Sequence, residues 1–224
     1  MIKKLLVIVG WGIVLIFTYY FIYNNAFRYF NYSSPLYDKH LKPFAPLLIT
    51  HISGGIIAIV LGPLQFIPTI RKRYTKWHRL IGKTYLISVL IGGLAAITLA
   101  ITKVIMIEHA IAFGTGLMGL GIAWLFTSSM AFWAVKKRNF AQHREWMIRS
   151  YVVTCGFTSF RIFTDILNNY MHVDGDQIGI TMAWACWAIP LLITEMILQS
   201  RKISPPVAKK RSTEETIRTP IALH

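Results

Sequence analysis

Six apolar stretches recur along the chain, at about 5–22, 47–67, 80–101, 110–135, 146–167 and 179–198. A helix that crosses a bilayer needs roughly 20 mostly apolar residues, so the pattern predicts about six transmembrane helices. The first stretch follows Met1-Ile2-Lys3-Lys4 and starts like a signal peptide. It is too long for one, and Tyr19, Tyr20, Tyr23 and Phe27 follow where small cleavage-site residues would stand, so it reads as a retained helix. Pro43 and Pro46 suit the opening of the second helix, while Pro63 and Pro190 predict kinks in the second and sixth. The fifth is the least apolar of the six. The segment 201–224 is basic, holds Pro205-Pro206 and lacks an apolar period, and so reads as a disordered tail. The expected fold is an all-α polytopic membrane helical bundle, with residues 1–200 as one membrane domain.

Composition agrees with this reading. Of 224 residues, 54% are hydrophobic and 15% are charged, against about 25% charged in soluble domains, and the mean hydropathy is +0.50. The formal net charge of +15 would suggest a nucleic-acid partner in a soluble chain. Here the charge sits in a few loops and the tail, which points to the bilayer and its anionic headgroups and to no nucleic acid. With six crossings, one side collects 19 Lys and Arg and the other only Arg28, Lys39, Lys42 and Lys103, a total of 4. Basic loops face the cytoplasm, so both termini are expected there, in a multi-pass plasma-membrane protein. Trp77 and Trp146, beside those loops, suit an interfacial aromatic belt. Cys155 and Cys186 lie in apolar runs and form no disulfide framework.

Two basic loops share a pattern. Lys72-Arg73, four residues, then His78-Arg79 matches Lys137-Arg138, four residues, then His143-Arg144, at an offset of 65 residues. The second and third helices therefore read as a distant copy of the fourth and fifth, forming a four-helix core with a parallel internal duplication. The duplication would bring His78 and His143 to one depth, diagonally across that core. Two facing imidazoles are what a b-type haem needs as axial ligands, and Arg73, Arg79, Arg138 and Arg144 would pair with its propionates. The same residues also fit a second reading, as an interfacial surface for lipid headgroups.

Other polar residues lie deeper. His51, about one turn inside the second helix, is either hydrogen-bonded within the bundle or a ligand of a second, outer haem, with His109 the only candidate partner. The duplication maps His51 onto Gly116, so the copy holds no matching histidine. Arg161 needs a partner within the membrane. Asp165, one turn on, supplies one reading, and a propionate, quinone or substrate carboxylate the other. Glu195 falls at the depth of Lys83, which suggests an ion pair. Gly54, Gly55, Gly92, Gly93, Gly114, Gly116, Gly119 and Gly121 allow close helix approach or room for a flat macrocycle.

The string His51-Ile-Ser-Gly-Gly-Ile-Ile-Ala, then Leu61-Gly-Pro-Leu-Gln65-Phe and His78-Arg-Leu-Ile-Gly-Lys-Thr-Tyr85, resembles the bacterial predicted membrane proteins called domain of unknown function 2306. So do Trp124-Leu-Phe-Thr-Ser-Ser, His143-Arg-Glu-Trp-Met-Ile-Arg-Ser-Tyr151 and Arg161, the likeness covering about 47–165. That resemblance implies a membrane fold and no particular activity. The layout is more loosely similar to transmembrane di-haem cytochrome b proteins that pass electrons from ascorbate. Those place paired histidines on helices two and four and on helices three and five. His78 and His143 match the second pair and His51 matches helix two, whereas the helix-four ligand is missing or displaced to His109. The expectation is a haem-b electron-transfer protein, His78 and His143 holding the iron, with a redox partner or quinone. The alternative is a haem-free transporter or structural membrane protein, with a polar path near Arg161, Asp165 and His51.

Overall fold

The computed structural model describes residues 2–170 and 175–203, and these are helical almost throughout. The elements are α1 (Ile2–Phe21), α2 (Ala45–Phe66), α3 (Pro68–Arg73), α4 (Thr75–Leu99), α5 (Ile111–Lys136), α6 (Phe140–Tyr170) and α7 (Gly175–Ile203). A π-helical segment, Ala100–Ile105, continues α4. Among the described residues, four helical stretches, Lys42–Phe66, Thr75–Ile105, Ile111–Lys136 and Gly175–Ile203, are long and apolar enough to cross a membrane. The chain is an all-α membrane bundle. Most of the expected tail, beyond Ile203, lies outside the described residues.

All six apolar stretches fall within long helices, but two helices start earlier than hydropathy suggests. A six-residue helix, α3, occupies the basic stretch expected to be a loop. Ile67, extended ahead of Pro68 (ψ 116°), ends α2, and Pro68 then opens α3 with its φ already set for a helix. Tyr74 breaks the chain again and α4 begins at Thr75. Correspondingly, Arg138 adopts a left-handed φ of 57° that terminates α5. The Asn139 carboxamide oxygen then accepts from the Gln142 N–H at 3.1 Å, as a helix N-cap. Polar and charged residues in the first two turns of α4 and α6 hide these starts from a hydropathy reading.

The bundle is inside-out relative to a soluble domain. Leu90, Ile91, Leu94, Phe132 and Ile193 face outward, whereas Ser128, Ser150, Thr154 and Thr158 are buried. The most extensive packing is α2 on α4, then α5 on α6 and α6 on α7, with α1 lying against α6. The low hydropathy of α6 has a partial explanation on its inward side, where Arg149, Ser150 and Thr154 bond to neighbouring helices. Its 31 residues extend about 46 Å at 1.5 Å each, enough to span a bilayer.

Glycines set the close crossings. A Cβ on Gly54 would stand 2.7 Å from the Ser88 carbonyl and 2.9 Å from Gly92 Cα, so α2 and α4 touch backbone to backbone. At Gly116 a Cβ would meet the Ala183 Cβ at 2.8 Å, which brings α7 onto α5. Both positions are filled by protein, and so serve helix approach rather than a macrocycle.

Pro63 has no N–H, which leaves the carbonyl of Ile59 without its helical donor. The Tyr151 hydroxyl of α6 donates to that carbonyl at 3.2 Å. Its ring lies over Gly62, where any side chain would collide with it. An unsatisfied backbone carbonyl is costly in a bilayer. Tyr151→Phe is therefore expected to lower stability by about 1–2 kcal/mol, read as an earlier thermal unfolding midpoint in detergent, with helix content unchanged.

Candidate functional site

His78 and His143 occupy equivalent places, each the fourth residue of its helix. Their backbone N–H groups bond to Tyr74 and Asn139, the residues preceding α4 and α6, at 3.0 and 2.9 Å. From each histidine a stripe runs along the inward face at intervals of seven residues, two turns apart. On α4 the stripe is His78, Tyr85 and Gly92; on α6 it is His143, Ser150 and Phe157.

At the middle level a large residue meets a small one. The Tyr85 hydroxyl is 2.7 Å from Ser150 Oγ and 2.9 Å from Thr154 Oγ1. Trp124 Nε1 of α5 donates to the same Thr154 oxygen at 2.8 Å, and Ser128 Oγ lies 2.7 Å from Ser150 Oγ. Tyr85, Trp124, Ser150 and Thr154 are wholly buried. At the next level Gly92 and Phe157 both pack on His51 and Trp124. The middle level is filled with protein atoms.

The histidine level is open. His78 and His143 line one cavity of about 390 Å³ at the basic end of the bundle, a volume in the range of small-molecule sites. Phe66, Val135, Phe140 and Met147 form apolar walls, and Arg71, Arg79 and Arg144 bring positive charge; among the described residues no carboxylate lines it. His143 Nδ1 is 2.8 Å from the Ala131 carbonyl of α5. A carbonyl accepts only, so this nitrogen carries the proton and Nε2 keeps the lone pair. His78 Nδ1 is buried and has no partner among the described residues. Its backbone carbonyl accepts from Gln65 Nε2 at 3.4 Å.

Arg79 and Arg144 thus stand where the sequence suggested, while Arg73 and Arg138 do not line the cavity. The short α3 brings Arg71 to the cavity and leaves Arg73 exposed over the Tyr74 ring, 5.7 Å from its centroid. Arg138 is held in the left-handed turn after α5. Gln65, Arg71 and Met147 were not identified from the sequence as cavity residues. Gln65 had left one trace, as a lone amide inside the apolar second stretch.

The remaining candidates are dispersed. His51 lines a different cavity, between α2, α4, α5 and α6. His109 is exposed in the turn before α5, with φ 54°, and does not line the His51 cavity. Arg161 donates to the Tyr29 hydroxyl at 3.3 Å and lies over the Phe160 ring, and forms no ion pair with Asp165 among the described residues. Neither residue lines the His51 cavity. Glu195 pairs with Arg149 rather than Lys83, at 2.6 Å to Nη2 and 2.7 Å to Nε. Arg149, counted from the sequence as part of a basic first turn, is buried on the side of α6 that meets α7. Removing Glu195 strips a buried guanidinium of its main partner, whereas Lys202 is a half-exposed neighbour of Glu145. Glu195→Ala is therefore expected to cost about 2–3 kcal/mol and Lys202→Ala under about 1 kcal/mol, compared by thermal unfolding of the two purified variants.

Searches among curated proteins and among solved structures give no match. The family model described as "Predicted membrane protein (DUF2306)" matches residues 48–198. That region runs from α2 into α7 and holds both histidines, the hydroxyl cluster and the Pro63–Tyr151 joint, so the chain belongs to the DUF2306 family of predicted membrane proteins.

Proposed function

We propose that the protein is a b-type haem electron-transfer protein of the membrane, in which His78 and His143 would hold the iron. The observation that carries this reading is the shared cavity: two histidines from diagonal helices line one space at the basic end of the core stripes. The donor set fits. The Ala131 carbonyl fixes the His143 tautomer, leaving Nε2 as a donor atom, and such outer hydrogen bonds orient metal-binding histidines. His78 offers a buried ring nitrogen that nothing in the described protein satisfies.

The residues around them have separable tasks. Arg71, Arg79 and Arg144 would hold two carboxylates by charge-assisted bonds. Phe66, Val135, Phe140 and Met147 would keep water from the ring faces. Gln65 holds the end of α2 to the start of α4 through the His78 carbonyl, which fixes the height of that imidazole. Haem bound there supplies one-electron transfer, tuned by its ligands and its surroundings. The excess of basic residues supports a cytoplasmic position for this end in a plasma-membrane protein, where it would face a redox partner or a quinone.

Detergent-purified protein, expressed with ample haem, is expected to give a b-type Soret and α-band in a dithionite-reduced minus oxidised spectrum. Both bands should vanish in His78→Ala and in His143→Ala. Arg79→Ala and Arg144→Ala should keep the bands and lower the midpoint potential, because each removes positive charge near the iron. A flat spectrum from the haem-supplied wild type would overturn the assignment.

A further inference from the structure

The second cavity of the core lies at the opposite end of the bundle from His78 and His143. It holds about 240 Å³. Most of its wall is apolar, from Leu48 of α2, Leu99 and Ala96 of α4, Leu117 and Leu120 of α5 and Phe157 of α6. His51 stands at the inner end, at the level of Gly92. Lys103, eleven residues further along the same helical stretch, stands at the outer end, tied to Glu108.

The state of His51 follows from its partners. Nδ1 lies 3.1 Å from the Gly92 carbonyl and so carries the proton. Nε2 then bears a lone pair. It has no partner among the described residues, yet it is not one of the buried unsatisfied atoms, so it is open to the cavity its ring lines. The ring itself cannot turn freely, because the Phe157 ring stands edge-on to it at 5.2 Å between centroids. The cavity is thus a mostly apolar, ring-sized space with one fixed hydrogen-bond acceptor at its inner end.

We propose that this cavity binds the head of a hydroquinone, with one ring hydroxyl donating to His51 Nε2. Three features select that chemistry. A lone acceptor in apolar walls needs a ligand that donates, and a buried acceptor strongly disfavours an analogue that cannot. The volume suits a single substituted ring, since about 150 Å³ of apolar cavity already accommodates benzene. The site is built within membrane-crossing helices, so its ligand must dissolve in the bilayer. An anionic head is disfavoured, as Lys103 already has a carboxylate partner. The proposal does not depend on the His78–His143 reading, which concerns the other end of the molecule.

The test is titration of the detergent-purified full chain with duroquinol under anaerobic conditions, followed by tryptophan fluorescence. Trp124 packs on Phe157, with centroids 4.9 Å apart, and so reports on the cavity. Saturable quenching is expected. His51→Leu should weaken binding at least tenfold, and His51→Gln, which retains an acceptor oxygen, should recover part of it. The dimethyl ether of duroquinol, which lacks both donors, should bind wild-type protein at least tenfold more weakly than duroquinol. That arm needs no variant and stands even where His51→Leu fails to fold. Equal affinity for the ether, or undiminished binding by folded His51→Leu, would overturn the proposal, as would the absence of saturable quenching in wild-type protein.

Discussion

The hydroxyl of Tyr85, buried at the middle of the bundle, joins α4 to α6 through Ser150 and Thr154, and the indole of Trp124 brings in α5 through the same threonine. In a bilayer no water competes for these groups, and the lipid tails around them are as apolar as the helices' outer faces, so hydrophobic burial does little to choose one helix arrangement over another. Directional bonds of this kind, together with close glycine crossings, fix the register. Sliding α4 past α6 by one turn would break both Tyr85 contacts and carry Gly92 away from Gly54. The positions of His78 and His143 follow from that register.

The three levels along α4 and α6 show how a near-symmetric frame acquires two different ends. In the central level the symmetry is broken by size, with Tyr85 opposite Ser150. In the next, Gly92 and Phe157 enclose His51 from two sides. Only the histidine level keeps the same residue on both helices, and there space is left between them. Gly116, where a matching histidine would stand in a perfect duplication, is instead the point at which Ala183 of α7 comes into contact. A histidine there would expel α7, so the docking of the last helix and a symmetric outer pair of imidazoles exclude each other.

Much of this was legible from the chain itself. Long apolar runs fix the number and order of the long helices, and the shared spacing of the two His-Arg pairs places His78 and His143 in one cavity. The starts of α4 and α6 were hidden because their first two turns are rich in polar and charged residues, and α3 was hidden because a six-residue basic helix has no apolar period. The Tyr85 cluster was illegible for another reason. Serine, threonine and tyrosine are common in membrane helices, and only the packing of three helices shows which of them meet. Glu195 was read as needing a cation, but Arg149 looked like one more positive charge of a cytoplasmic turn, and its burial against α7 depends on helix rotation that charge counting does not see.

The joint at Pro63 links parts of the chain that are made at different times. The carbonyl of Ile59 is completed by a hydroxyl 92 positions later. During synthesis α2 and α4 therefore leave the ribosome as a hairpin with one backbone acceptor unmet, and that acceptor stays so until α6 arrives. The first hairpin is incomplete by itself, and a bilayer offers it no water as a substitute. The N-terminal half thus carries a built-in demand for the C-terminal half. An interrupted chain would expose that demand as an adhesive spot for whatever donor a neighbouring helix presents.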